Sequence, residues 1–169
     1  MLVIGNVGWG RKYHYTNLTP DEQYTHITLW AMQASPLLIG CDMAVADKFT
    51  KSLLCNSEVI DINQDPLGYA ATKIYGDNSY ATYFKPLEDG SIAIAMFNLS
   101  ESSKKIGFKP RAIGVIGDKI TIRDVWRQKD ITVMTNDRDR FDTEVPPHGV
   151  VLVKVSPGYT KERPAGSRR

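Results

Sequence analysis

The chain has 169 residues, of which 42% are hydrophobic and 24% charged, the composition of an ordinary globular protein. No run approaches the roughly 18 consecutive apolar residues of a membrane helix. From Tyr159 onward Lys161, Arg163, Arg168 and Arg169 stand against Glu162, a surplus of three, so the formal net charge of +2 leaves the remainder at −1 and excludes a nucleic-acid-binding profile.

The N-terminal stretch "MLVIGNVGWG" has no basic leader and too short an apolar run for a signal-peptide core, so any secretion signal is expected to be absent or to lie upstream. "LVIG" (Leu2 to Gly5) reads as a strand buried on both faces. A long loop, "NVGWGRKYHYTNL", follows. Thr19 as N-cap, Pro20 and Glu22 then predict a helix from Pro20 to about Ala34, with Tyr24, Ile27, Ala31 and Ala34 on its inner stripe. Pro36 stops it, and "LLIG" (Leu37 to Gly40) is a second apolar strand. The order is that of a βαβ unit with parallel strands. A second helix is expected over Val45 to Leu54, and "SEVIDI" gives one further helical turn. Cys41 and Cys55 lack metal-type spacing, and free thiols fit them better than a disulfide.

At "VIDINQDPLG" (Val59 to Gly68) helical periodicity stops and alternation begins. Asp61 and Asp65 could be a catalytic pair, but Asp65-Pro66-Leu67-Gly68 is turn chemistry at the change of period, so the stretch reads as a seam. Beyond it "YATYFKP", "SIAIAMFN", "KITIRDVW", "RFDTEV" and "GVVLVKV" are strand candidates separated by turn texts. "SIAIAMF" is apolar on both faces and therefore central. In the last strand Lys154 points out, with Val151, Val153 and Val155 pointing in. The series predicts an antiparallel sandwich over residues 68–156. Residues 157–169 are expected to be a disordered basic tail.

Two buried parallel strands lack neighbours and cover by themselves, so residues 1–67 read as the last segment of a larger parallel sheet or (β/α) barrel. Here "MLVIGNVGWG", "LTPDEQYTHITLWAMQASPLLIGCDM" and "EVIDINQDPLG" resemble the end of the catalytic barrel in the melibiase-type α-galactosidases, glycoside hydrolase family 27. "DVWRQKD" and "VPPHGVVLVKV" are similar to that family's C-terminal domain. The resemblance implies α/β plus all-β architecture, the C-terminal βα portion of a (β/α)8 barrel followed by an antiparallel β-sandwich. It implies a retaining hydrolase of terminal α-galactosides, working with two aspartates, and a secreted, periplasmic or lysosomal setting. Both aspartates of the family lie upstream of the matching positions, so no catalytic residue is assigned within the chain, which is expected to be inactive by itself. A non-catalytic carbohydrate-binding or interaction sandwich is the alternative.

Met1 matches a pocket-lining position of the family, and Trp9 lies with Tyr13, His14 and Tyr15 in the loop that would border the sugar pocket; Met1 and Trp9 are therefore the substrate-binding candidates. A plain aromatic cluster within the loop explains Trp9 as well. Asp42 follows a buried strand, where barrel enzymes place their chemistry, but is favoured as N-cap of the next helix. His26 is expected to be packed or at the surface and His148 to sit in the "PPHG" turn. No metal or cofactor is expected. Asn17 and Asn98 open glycosylation sequons. The expected partner is a galactose-containing oligosaccharide or glycoconjugate, with no nucleic acid and no membrane span, and the exposed barrel edge is expected to promote self-association.

Overall fold

The structure, a computed structural model, describes residues 1–9 and 12–158, apart from the Trp9 side chain. Residues 1–68 supply helices and a short parallel contact, and residues 72–158 supply an antiparallel sandwich.

Helix α1 (Pro20–Met32) starts as its sequence dictates. The Thr19 hydroxyl accepts the Glu22 N–H at 3.3 Å and the Glu22 carboxylate accepts the Thr19 N–H at 2.7 Å. It ends two residues before the expected Ala34, which takes a left-handed φ of 49° just ahead of Pro36. The two expected strands contract to one parallel bridge, Leu2 to Ile39. The next rung would join Ile4 to Gly40 O and Asp42 N–H, but Asp42 N–H donates to Asn6 O at 2.8 Å instead. Val3 N–H donates to His26 Nε2 (3.2 Å), Val3 O accepts the Thr16 hydroxyl (2.8 Å), and Gly5 N–H donates to the buried Gln23 Oε1 (3.2 Å). These bonds lie on the other edge of the first segment and tie it to α1 and to Thr16.

The expected loop after Gly5 folds instead as a hairpin, β1 (Asn6–Trp9) against β2 (Lys12–Tyr15). Gly8 permits it, since at φ 141° a Cβ would stand 2.1 Å from Lys12 O. Helix α2 (Lys48–Leu54) starts three residues later than the expected Val45, because Asp47, whose Oδ1 accepts the Thr50 N–H at 2.7 Å, is the true N-cap. Asp42 does not cap it; its Oδ1 closes a local turn on Ala44 N–H at 2.9 Å. Helix α3 (Ser57–Asn63) is capped by Asn56, whose amide also donates to Val125 O and Trp126 O, both at 3.2 Å.

The large sheet has the order β3 (Thr72–Gly76), β4 (Tyr80–Pro86), β5 (Ile92–Asn98), β10 (Val150–Gly158), β7 (Lys119–Asp124) and β8 (Lys129–Met134), all antiparallel. The pair β6 (Lys104–Phe108) and β9 (Phe141–Val145) covers one face. Strands β3, β6 and β8 were not expected from sequence. β3 and β8 are edge strands with mostly exposed residues, and β6 begins with two lysines and contains Gly107. β5 is buried throughout, as its doubly apolar text requires. Its Ile92, Ile94 and Met96 enter the sandwich interior with Val153 and Val155 of β10. Ala93, Ala95 and Phe97 enter the other core, with Val150, Leu152, α1 and α3. The outer face of β10 is therefore also buried at its first half, and Lys154 beyond it pairs with Asp89 at 2.6 Å. β10 continues through Pro157 and Gly158, which face Ile120 and Lys119, so the sheet runs two residues past the expected end. The rest of the expected tail, residues 159–169, lies outside the described residues.

The seam is densely bonded. Lys85 of β4 is fully buried and its ammonium donates to Ala31 O and Ile62 O, in the last turns of α1 and α3. Burial pulls its pKa below the ordinary lysine value, with Asp65 opposing. Asp65 accepts Leu67 N–H (3.1 Å) and Glu88 N–H (2.9 Å), and thus ties the turn to the sandwich. Arg123 clasps Glu58 of α3 in a two-pronged contact of 2.7–3.1 Å. Trp126 Nε1 donates to the buried Thr28 hydroxyl (2.9 Å), with its ring 4.8 Å from Tyr24, edge to face. Asn98, at the second sequon, is buried with its amide donated to Ser102 O, Val145 O and Pro146 O, so it is a structural residue in the fold.

Candidate functional site

A cleft of about 620 Å³ opens beside the parallel bridge, lined by Met1, Val3, Tyr13, His14, Ile39 and Asp42 among others. Gly40 makes room for Met1, since a Cβ there would lie 2.4 Å from Met1 Cγ. Its far wall is the β1–β2 hairpin, docked by Asp42 N–H to Asn6 O (2.8 Å) and by Tyr15 OH to Asp47 Oδ2 (3.3 Å). His14 Nδ1 lies 2.8 Å from Tyr15 O; a carbonyl can only accept, so Nδ1 carries a proton and donates it there. Burial raises the Cys41 thiol above its usual pKa, which keeps it protonated and unreactive at the cleft wall.

Of the sequence candidates, Met1, Tyr13, His14 and Asp42 come together at this cleft. Trp9 belongs to β1 by its backbone, and its side chain lies outside the described residues. Asp42 is the one carboxylate among the cleft's residues. Ile39 and Val7 were not singled out from sequence; their types are those of any buried strand.

Asp61 and Asp65 line a different cleft of about 600 Å³ at the seam, with Glu58, Glu88, Asp89 and Arg123. Three of its carboxylates are already engaged. Glu58 is held by Arg123, Asp65 by backbone amides, and Asp89 by Lys154, Ser91 N–H and the Ser91 hydroxyl. His26 accepts Val3 N–H, and burial lowers its pKa, so it is a packed neutral histidine. His148 sits in its turn at φ 52°, paired with Glu101 at 3.0 Å. Among the described residues no helix is long and apolar enough to cross a membrane.

Residues 1–65, which build the first cleft, match the family described as "Alpha galactosidase A", and residues 77–155 match "Alpha galactosidase C-terminal beta sandwich domain". The chain belongs to the α-galactosidase family. The gap between the two matches, residues 66–76, opens within the "NQDPLG" seam. Within the family, the chain is 32% identical over 161 residues to alpha-galactosidase 3 of Arabidopsis thaliana, covering 93% of this chain and 34% of that one. It is 29% identical to an alpha-galactosidase of Cyamopsis tetragonoloba, covering 93% and 36%. Among solved structures it is similar to a β-L-arabinopyranosidase of glycoside hydrolase family 27 from Geobacillus stearothermophilus (TM-score 0.83, 30% identity, 96% and 37% covered). It is also similar to alpha-galactosidase I of Mortierella vinacea (0.76, 28%, 83% and 36%). The chain thus spans 34–39% of the length of curated relatives that it covers over nearly its whole extent. The architecture is the expected barrel end followed by a β-sandwich. The match over residues 1–65 disfavours the stand-alone sandwich.

Proposed function

We propose that this chain supplies the closing βα segment and the sandwich of a retaining hydrolase of terminal α-galactosides, and that by itself it binds sugar weakly and cleaves none. The observation that carries the reading is the 620 Å³ cleft, where one wall of a sugar pocket stands with a single carboxylate, Asp42, already engaged by a backbone amide. Retention needs a nucleophile and an acid/base whose carboxyls stand about 5–5.5 Å apart across the glycosidic bond. The activities of the relatives, α-galactosidase and β-L-arabinopyranosidase, involve pyranosides that share ring configuration and differ at C5, so the substrate class is the galacto-configured pyranoside. Met1 lines the pocket in this reading, and Trp9 belongs to its rim.

The test is hydrolysis of p-nitrophenyl α-galactoside by the 169-residue chain and by Asp42→Asn. No release of nitrophenol from either, with a slightly altered stability for the variant, is the expected result. Turnover by the chain that disappears in Asp42→Asn would overturn the assignment and require a second carboxylate among these residues, with Asp61 and Asp65 the first to try.

A further inference from the structure

A smaller cleft, about 170 Å³, lies between the β3–β4 hairpin and the β6–β9 pair, and all of its lining comes from residues 75–140. It falls below the ~300–1,000 Å³ of a drug-sized ligand site, which limits it to a single ring or a small charged group. Its chemistry differs from that of the seam cleft. Two tyrosines, Tyr75 and Tyr80, and two cations, Lys109 and Arg140, line it, and no carboxylate does. Tyr75 is 40% exposed on an edge strand, an aromatic ring left uncovered by its own fold. Arg140 is held in place, with Nε on Asp142 Oδ1 (2.8 Å) and Nη2 on Gly107 O (3.0 Å). Those bonds take two of its five N–H groups and fix the plane of the fork while leaving the others available. Lys109 is exposed and meets no carboxylate among the described residues. Lys104 adds positive potential from behind, with Nζ 5.6 Å from the Tyr80 ring centroid and bonded to the Ser79 hydroxyl.

We propose that this cleft is a second, non-catalytic sugar site, which takes a pyranose bearing a carboxylate or a sulfate ester. The ring packs on Tyr75 and the anion lies between Lys109 and Arg140. Flat phenol rings suit the C–H face of a sugar, and a pre-oriented guanidinium beside a free ammonium suits a planar or tetrahedral anion. Nucleic acid fits less well. The cations here form a spot rather than a stripe, and the body of the chain carries a net charge of −1 against the surplus of three in its tail. The site is independent of the hydrolase reading, because it shares no residue with the barrel-side cleft.

Calorimetric titration of the whole chain with methyl galacturonoside, galactose 6-sulfate, neutral methyl α-galactoside, inorganic sulfate and a short oligonucleotide tests the proposal. Either or both acidic sugars should bind about tenfold or more tightly than the neutral sugar, and more weakly as salt is raised. Which of the two binds identifies the anion. Tyr75→Ala and Lys109→Gln, both at exposed positions, should each weaken binding about tenfold, the effect of losing one stacking or charge-assisted contact, with an unchanged circular dichroism spectrum. Equal binding of the neutral sugar, inorganic sulfate matching the sulfated sugar, an oligonucleotide binding more tightly than either acid sugar, or no effect of both substitutions would each overturn it.

Discussion

Replacing Lys85 by Met tests what holds the two halves of the molecule together. Methionine keeps the length and most of the packing of the side chain and removes only the ammonium. Ala31 O would keep a partner, since it also accepts Ala34 N–H at 3.1 Å. Ile62 O would not. Pro66, four residues on, has no N–H to offer, and Lys85 is the donor that reaches it. Orphaning that buried carbonyl costs about 1–3 kcal/mol. Losing a cation at two helix C-termini costs ~0.3–1 kcal/mol each. Against this stands the relief of no longer burying an ammonium, which cancels part of the loss. The expected net destabilisation is about 2 kcal/mol, or about 4–8 °C in Tm for a chain of this length. Urea unfolding of dilute protein, followed by far-ultraviolet circular dichroism, should show a lower midpoint with an unchanged slope. A variant as stable as the parent, or more so, would refute the reasoning. It would mean that burying the charge costs as much as its bonds return, and that apolar packing alone closes the seam.

Two further outcomes follow from the same structure. His26 must be neutral at Nε2 to accept Val3 N–H, and burial holds its folded pKa below the unfolded value near 6.5. The unfolded chain therefore takes up the proton first, and stability present above about pH 6.5 falls as pH drops through the depressed folded pKa. His148, raised by Glu101, has the opposite sign. The difference in urea midpoint between the parent and His26→Gln, measured at pH 7.5 and pH 5, should narrow on acidification, and a constant difference would sink the assignment. Met1, Val3, Leu38, Ile39, Met43 and Val45 are all exposed around the parallel bridge, so the chain should bind a hydrophobic dye and self-associate. Leu38→Lys should lower both, and a monodisperse parent without dye binding would count against it.

The residues that announce themselves locally were legible in the sequence. The Thr19–Glu22 cap, Pro36 and the Asp65–Gly68 turn act within a few residues of themselves, and the two-sided apolar text of β5 states its own burial. What stayed hidden depends on distant partners. Strand β8 exists because β7 offers it an edge, although its own residues stay exposed. The bridge at Leu2 is short because Asp42 N–H, which a longer ladder would bring to Ile4 O, goes to Asn6 O, a fact that no window around Leu2 contains. Sequence favours Asp42 as the cap of α2, and only the reach of Thr50 N–H shows that Asp47 takes that place. Nothing in "YFKP" marks Lys85 as interior, and only the arrival of two helix ends makes it so. At the barrel-side cleft, sequence placed Met1 and the aromatic loop together but not the hairpin that carries Tyr13 and His14.

The large sheet is covered on both faces, as a party wall is: each side belongs to a different room. Ala93, Ala95, Phe97, Val150 and Leu152 finish the core of the barrel segment, while their immediate neighbours along the same strands finish the core of the sandwich. A recombination break at the Gly68 turn, where the sequence looks most divisible, would leave that wall bare on one side. The sandwich is therefore poorly suited to being passed between proteins as an independent cassette, and the two regions are bound to be inherited, lost and redesigned together.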